Sequence, residues 1–113
     1  MTTEPFRRGD VVWHPAPFKS GTSERPYLVL SDDDHPYHGT EYAVVALTRQ
    51  SHPRSIALDA ASWAVGDPGG ESYVSPWYIF TIKHADITRP KGGLRDSVVT
   101  EICEAVARQL GAA

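Results

Sequence analysis

No apolar run in this chain is long enough for more than one strand before proline, glycine, serine or aspartate interrupts it. Asp10–Trp13 ("DVVW"), Tyr27–Ser31 ("YLVLS"), Glu41–Thr48 ("EYAVVALT") and Ser55–Asp59 ("SIALD") are rich in β-branched and aliphatic residues and read as strands. "WYIFTI" from Trp77 to Ile82 adds a fifth, with Pro76 ahead of it in a position that suits a strand start. The segments between them, "HPAPFKSGTSERP", "SDDDHPYHG", "RQSHP" and "VGDPGGES", are turn and loop chemistry. Connections of this kind suit antiparallel neighbours.

Only the last segment changes period. In "LRDSVVTEICEAVARQLG", Val99, Ile102, Cys103, Val106 and Leu110 recur at three- and four-residue steps, with Glu101, Glu104 and Arg108 on the other side. The spacing predicts an amphipathic helix, capped by Asp96 or Ser97 and ended by Gly111. The fold class expected is α+β, mainly β: a small SH3-like barrel of antiparallel strands with a C-terminal helix docked on it, because closure removes long exposed edges. With 113 residues and no internal repeat or linker, residues 1–113 read as a single domain.

Composition excludes several classes. Cys103 is the only cysteine, which rules out an internal disulfide and a cysteine-based metal cage. No stretch approaches the roughly 20 apolar residues of a membrane span, and "MTTEPFRRGD" lacks the apolar middle of a signal peptide, so the expected location is the cytoplasm. The net charge of −3 is too small to argue for or against nucleic acid, which responds to local fields.

Local charge is more informative. Arg25 precedes Pro26, and a residue before proline is biased to an extended backbone, so its guanidinium is aimed at the entrance to the second strand. Arginine stays charged and presents a planar fork of donors that matches phosphate oxygens. The strand ending at Thr48 is apolar on both faces, as a central strand would be, and then turns abruptly polar in Thr48-Arg49-Gln50-Ser51. A hydroxyl at that lip can donate to a phosphate, with Arg49 or Arg54 adding positive charge and His52 four residues on. Each residue also has an ordinary reading, as a solvated cation, a turn-capping threonine or a loop histidine.

With Arg25-Pro26 leading into an aliphatic strand and Thr48 closing the next, the chain resembles the PemK/MazF family of toxin ribonucleases. "RRGDVVW", "TIKHADI" and "KGGL" ahead of the helix extend the match from about Gly9 to Leu110. The resemblance implies an SH3-like barrel and a homodimer. It also implies a metal-independent endoribonuclease that cleaves single-stranded RNA without a cofactor and is neutralised by a cognate antitoxin protein. By the same resemblance Arg25 and Thr48 are the catalytic positions, and the stretch from Lys19 through Ser23 to Glu24 sits where the family binds RNA. The family's acidic residue and glutamine before the strand matching "IFTI" are replaced here by Trp77-Tyr78.

Cleavage through the neighbouring 2′-hydroxyl needs positive charge, a proton acceptor and a proton donor. Arginine supplies the first and is a poor base. His14, after the first strand, and His52 are candidates for the proton, whereas His84 reads as a structural residue at a strand end. Asp32, Asp34, His35 and His38 are metal-binding types without ligand spacing, and a solvated turn is the simpler account. Trp63, Tyr73, Trp77 and Tyr78 are either stacking faces for bases or core and interface residues. A non-catalytic SH3-like binding module, and a gyrase-inhibiting toxin of the same fold, are the alternative functions.

Overall fold

A computed structural model describes residues 4–16, 23–66 and 69–112. In chain order the strands are β1 (Asp10–Pro15), β2 (Glu24–Val29), β3 (Glu41–Thr48), β4 (Ile56–Leu58), β5 (Trp63–Val65), β6 (Ser72–Lys83) and β7 (Arg89–Leu94), followed by helix α1 (Asp96–Gln109). They form one antiparallel sheet in the order β4-β6-β3-β2-β1-β7-β5. The two outermost strands, β4 and β5, are consecutive in the chain and joined only by the short 3-10 turn Ala60–Ser62, so the sheet curls until its edges meet. Asp59 and Ser62 hold that turn in a reciprocal capping box, and the Arg95 side chain donates through Nε to the Ala61 carbonyl at 2.7 Å. The result is a nearly closed barrel with one helix, as expected from the run of short strands.

Both sheet faces are covered. Val11, Leu28, Val45, Leu47, Leu58, Trp63, Val74 and Leu94 pack with Val99, Ile102 and Val106 of α1. Val12, Tyr27, Val29, Tyr42, Val44, Ala46, Ile82 and Ile87 form the other cluster, flanked by Phe6 and Phe80. Double coverage explains why β3 is apolar at successive positions. The buried Tyr42 hydroxyl accepts from the Phe6 N–H at 3.0 Å and donates to His84 Nδ1 at 2.7 Å, which gives His84 the structural role its sequence context suggests.

Four expectations require correction. The sheet has seven strands, because Trp63–Val65 and Arg89–Leu94 also pair. "RPKGGL" carries no alternating pattern; it becomes a strand by adding to β1. Pro76 lies inside β6 and does not begin it: Val45 pairs Ile79 and Leu47 pairs Val74, so Ala46 faces the four residues from Ser75 to Tyr78, a wide bulge where a missing N–H is harmless. The helix is preceded by Arg95 as N-cap, with no side-chain cap bond, and Asp96 is its first residue. Leu110 is 67% exposed beyond the last turn, while Gly111, at φ 74°, ends the helix as anticipated.

Candidate active site

β2 begins three residues earlier than its aliphatic run suggests and carries Glu24, Arg25 and Pro26 against β1, with Pro15↔Glu24, His14↔Arg25 and Trp13↔Pro26 opposite one another. Its pairing with β3 starts only at Tyr27↔Ala46. Pro26 has no N–H to contribute, so the β2–β3 ladder ends where the proline stands. Beyond that point the two strands part, and a cavity of about 480 Å³ opens, lined by Arg25 and Pro26 from one side and Leu47 and Thr48 from the other. Trp13, Arg49, Gln50, Ser72 and Lys91 also line it, and among the described lining residues there are cations and no carboxylate.

The register explains why the two catalytic candidates meet. Continuing the β2–β3 alignment two residues past Tyr27 and Ala46 brings Arg25 opposite Thr48. His14 is opposite Arg25 and Tyr73 is opposite Thr48. His14 thus shares a sheet face with Arg25, and Tyr73 shares one with Thr48, while Arg25 and Thr48 come together through the cavity that both line. His14 is part of β1 and does not follow it, which corrects its placement.

These four side chains differ in how far they are already engaged. Among the described residues the Arg25 guanidinium has no hydrogen bond or ion pair. Its charge is felt by Tyr27: burial pushes that phenol up, partly offset by Arg25, with Tyr78 pushing the same way as burial. Thr48 Oγ1 accepts from the Gln50 N–H at 3.2 Å, which leaves the hydroxyl proton free to be donated. His14 Nδ1–H donates to the Pro15 carbonyl at 2.7 Å, so the neutral ring keeps its lone pair on Nε2. Tyr73 donates its hydroxyl to Glu71 at 3.2 Å, and that bond holds its proton on.

The remaining candidates divide between cavity and elsewhere. Arg49 lines the cavity and donates from Nη1 to the carbonyls of Gly69 at 2.7 Å and Glu71 at 3.3 Å, tying the end of β3 to the approach to β6. Glu24 stands beside Arg25 in the chain but is held by Arg89 at 3.6 Å and by the Thr88 hydroxyl, away from the cavity. Ser23 is exposed, and its carbonyl accepts from the Ala16 N–H at 3.0 Å. His52 is exposed in the loop after β3 with its ring edge-on to Trp77, 6.4 Å between centroids. Arg54 is remote: it adopts φ 71° and lines a separate groove with Ile56, Pro76, Glu101 and Arg108 beside the helix. Lys19 lies outside the described residues.

Sequence reading missed Trp13, Ser72 and Lys91. Lys91 Nζ sits 5.1 Å from the Trp13 ring centroid and 5.5 Å from that of Trp63, and Arg89 covers Trp13 at 4.8 Å. Both cations come from the unpatterned "RPKGGL". Trp63 is core, whereas Trp77 and Tyr78 are 40% and 37% exposed on the β6 bulge. The acidic stretch after β2 forms a turn in which Asp32 takes the Asp34 N–H and pairs with Arg8 at 3.3 Å.

The family model for PemK-like, MazF-like toxins of type II toxin-antitoxin systems matches residues 7–110. The chain belongs to this family. No curated protein matches it in sequence. Its PemK/MazF-like fold is similar to that of an endoribonuclease solved with its cognate antitoxin from a Mycobacterial species, at TM-score 0.74 and 22% identity over 100% of this chain and 98% of the other. The toxin MazF-mt6 of Mycobacterium tuberculosis is similar at TM-score 0.66 and 23% identity, covering 90% of this chain and 98% of that one. The MazE-MazF structure from Deinococcus radiodurans is similar at TM-score 0.72 and 18% identity, over 97% and 99%. A PemK/MazF-like chain thus carries the family's barrel, with Thr48 and an arginine that has no partner among the described residues lining one cavity.

Proposed function

We propose that this PemK/MazF-like protein is the toxin of a type II toxin-antitoxin pair and cleaves single-stranded RNA, with the scissile phosphate held between Arg25 and Thr48. The observation that carries this reading is the shared cavity mouth of an unengaged guanidinium and a hydroxyl with a free proton. Arg25 opposes charge that builds on the phosphorus oxygens, and Thr48 donates to one of them.

The base is His14, across the ladder from Arg25. Its Nε2 takes the proton of the 2′-hydroxyl, the 2′-oxygen attacks phosphorus, and the bond from phosphorus to O5′ breaks. A 2′,3′-cyclic phosphate forms, and O5′ leaves with a proton from water. The histidine then returns its proton to the hydroxide so generated.

The protein acts in the cytoplasm as a homodimer and is neutralised by an antitoxin that competes for the cationic mouth. The antitoxin in two of the similar structures supports that partner. Among the described residues no helix is long and apolar enough to cross a membrane.

Incubation with a long single-stranded RNA in EDTA tests the reading. Chelator-resistant cleavage by the wild type, lost in Arg25→Ala at unchanged thermal stability, is the expected result. Intact RNA in the wild-type lane would leave a binding module and end the ribonuclease case.

A further inference from the structure

Thr48 is the last residue of β3, and Thr48↔Tyr73 is the last pair of the β3–β6 ladder. A strand end whose remaining hydrogen bonds face solvent opens readily. A hydroxyl at such an end is held loosely unless something further fixes it.

Arg49 is the next residue in the chain. Its Nη1 donates to the Glu71 carbonyl at 3.3 Å and to the Gly69 carbonyl at 2.7 Å, both just ahead of β6. A side chain thus continues the connection between the two strands where the backbone ladder stops. On the other side of the turn, Thr48 Oγ1 accepts from the Gln50 N–H at 3.2 Å.

The approach to β6 is shaped to receive this guanidinium. Gly69 and Gly70 have φ of 67° and 111°, and a Cβ on them would stand 3.2 Å from Arg49 Nη2 and 2.8 Å from Nη1. A larger residue at position 70 would push the fork off its carbonyls. A solvated arginine asks for no such accommodation. An arginine that grips phosphate in the bidentate manner presents both Nη atoms to it, and here Nη1 is already engaged by the backbone.

We propose that Arg49 is a positioning residue for cleavage: it braces the end of β3 against the approach to β6 and so fixes the Thr48 hydroxyl at the phosphate. The inference rests on the ribonuclease reading and deepens it. Placement of this kind decides rates, because a shift of about 1 Å in a reacting group can cost as much as 10²-fold. Since the brace acts through Thr48, it speeds the reaction only while that hydroxyl is present, and it contributes no more than the hydroxyl does.

The test is single-turnover cleavage of a defined single-stranded RNA oligonucleotide by the wild type, Arg49→Met, Arg49→Lys, Thr48→Val and the double variant Thr48→Val/Arg49→Met. Arg49 is exposed, so its variants should melt close to the wild-type temperature. Arg49→Met keeps the stem and removes the donors, and should lower the rate at saturating RNA by about five- to tenfold with KM little changed, the size of one hydrogen bond. Arg49→Lys keeps the charge but ends one bond short of Nη1, and should recover only a minor part. In the Thr48→Val background, Arg49→Met should change the rate by less than about twofold, as expected when one residue acts through the other. A wild-type rate in Arg49→Met, or an equal loss in both backgrounds, would overturn the brace and leave the ribonuclease reading standing. So would a raised KM at unchanged rate that Arg49→Lys restores, which would make Arg49 a phosphate contact. No cleavage by the wild type would remove both.

Discussion

Arg25 and Thr48 line one cavity just past the last β2–β3 pair, Tyr27↔Ala46, and Pro26, with no N–H to extend that ladder, stands where it ends. The backbone that aims the arginine also ends the ladder that would have closed the space in front of it. The aim of the arginine and the opening of the cavity are therefore consequences of the same dipeptide.

Thr48 should act through its hydroxyl proton. Thr48→Val keeps the shape and removes the donor, and should lower kcat by about tenfold or more, as loss of one hydrogen bond to a charged oxygen implies. Thr48→Ser should recover most of it. Single-turnover cleavage of a defined oligonucleotide makes the comparison, and equal rates for Thr48→Val and wild type would remove Thr48 from the site.

His14→Gln should slow the chemical step by about 10²-fold or more, the usual worth of a positioned general base, with KM little changed. Single-turnover cleavage at saturating RNA measures it, and an unchanged rate in His14→Gln would assign the proton to another group.

Gly92 is required by close strand approach. A Cβ there would stand 2.3 Å from the Val65 carbonyl oxygen, which belongs to the neighbouring strand and cannot rotate away. Gly92→Ala should destabilise the fold by about 1–3 kcal/mol, the cost of forced overpacking. Chemical denaturation measures it, and an unchanged midpoint would contradict the observed fit between β5 and β7.

Cys103 is half-buried on α1, and desolvation pushes its thiol up, with Arg8 lowering and Asp32 raising it as smaller effects. A raised value means less thiolate at any pH below it, so iodoacetamide should label the folded protein more slowly than the denatured chain at pH 8. Equal rates would show the thiol to be exposed.

Much of this was readable before any coordinates. Short β-branched runs between breakers predict strands, a three- and four-residue period predicts the helix, and Arg25-Pro26 and Thr48, singled out from the sequence, line one cavity. These signals are local: backbone bias before proline, alternation on a strand and periodicity on a helix depend on neighbours in the chain. β7 escaped because "RPKGGL" has no pattern of its own, and it is a strand only because β1 offers it an unpaired edge. Pro76 misled because a proline interior to a strand is tolerable only opposite a bulge, and the bulge exists only in the β3–β6 register.

The sequence by itself determined a small β-rich fold, its terminal helix and an arginine biased to extended backbone by the proline that follows it. Tertiary structure alone decided that Arg25 and Thr48 line one cavity, that His14 stands across the β1–β2 ladder from Arg25, and that the Ser72 hydroxyl lining the same cavity has no partner among the described residues. The reason is that these residues come from strands far apart in the chain. Their meeting depends on sheet order and register, which are chosen by the packing of both faces at once.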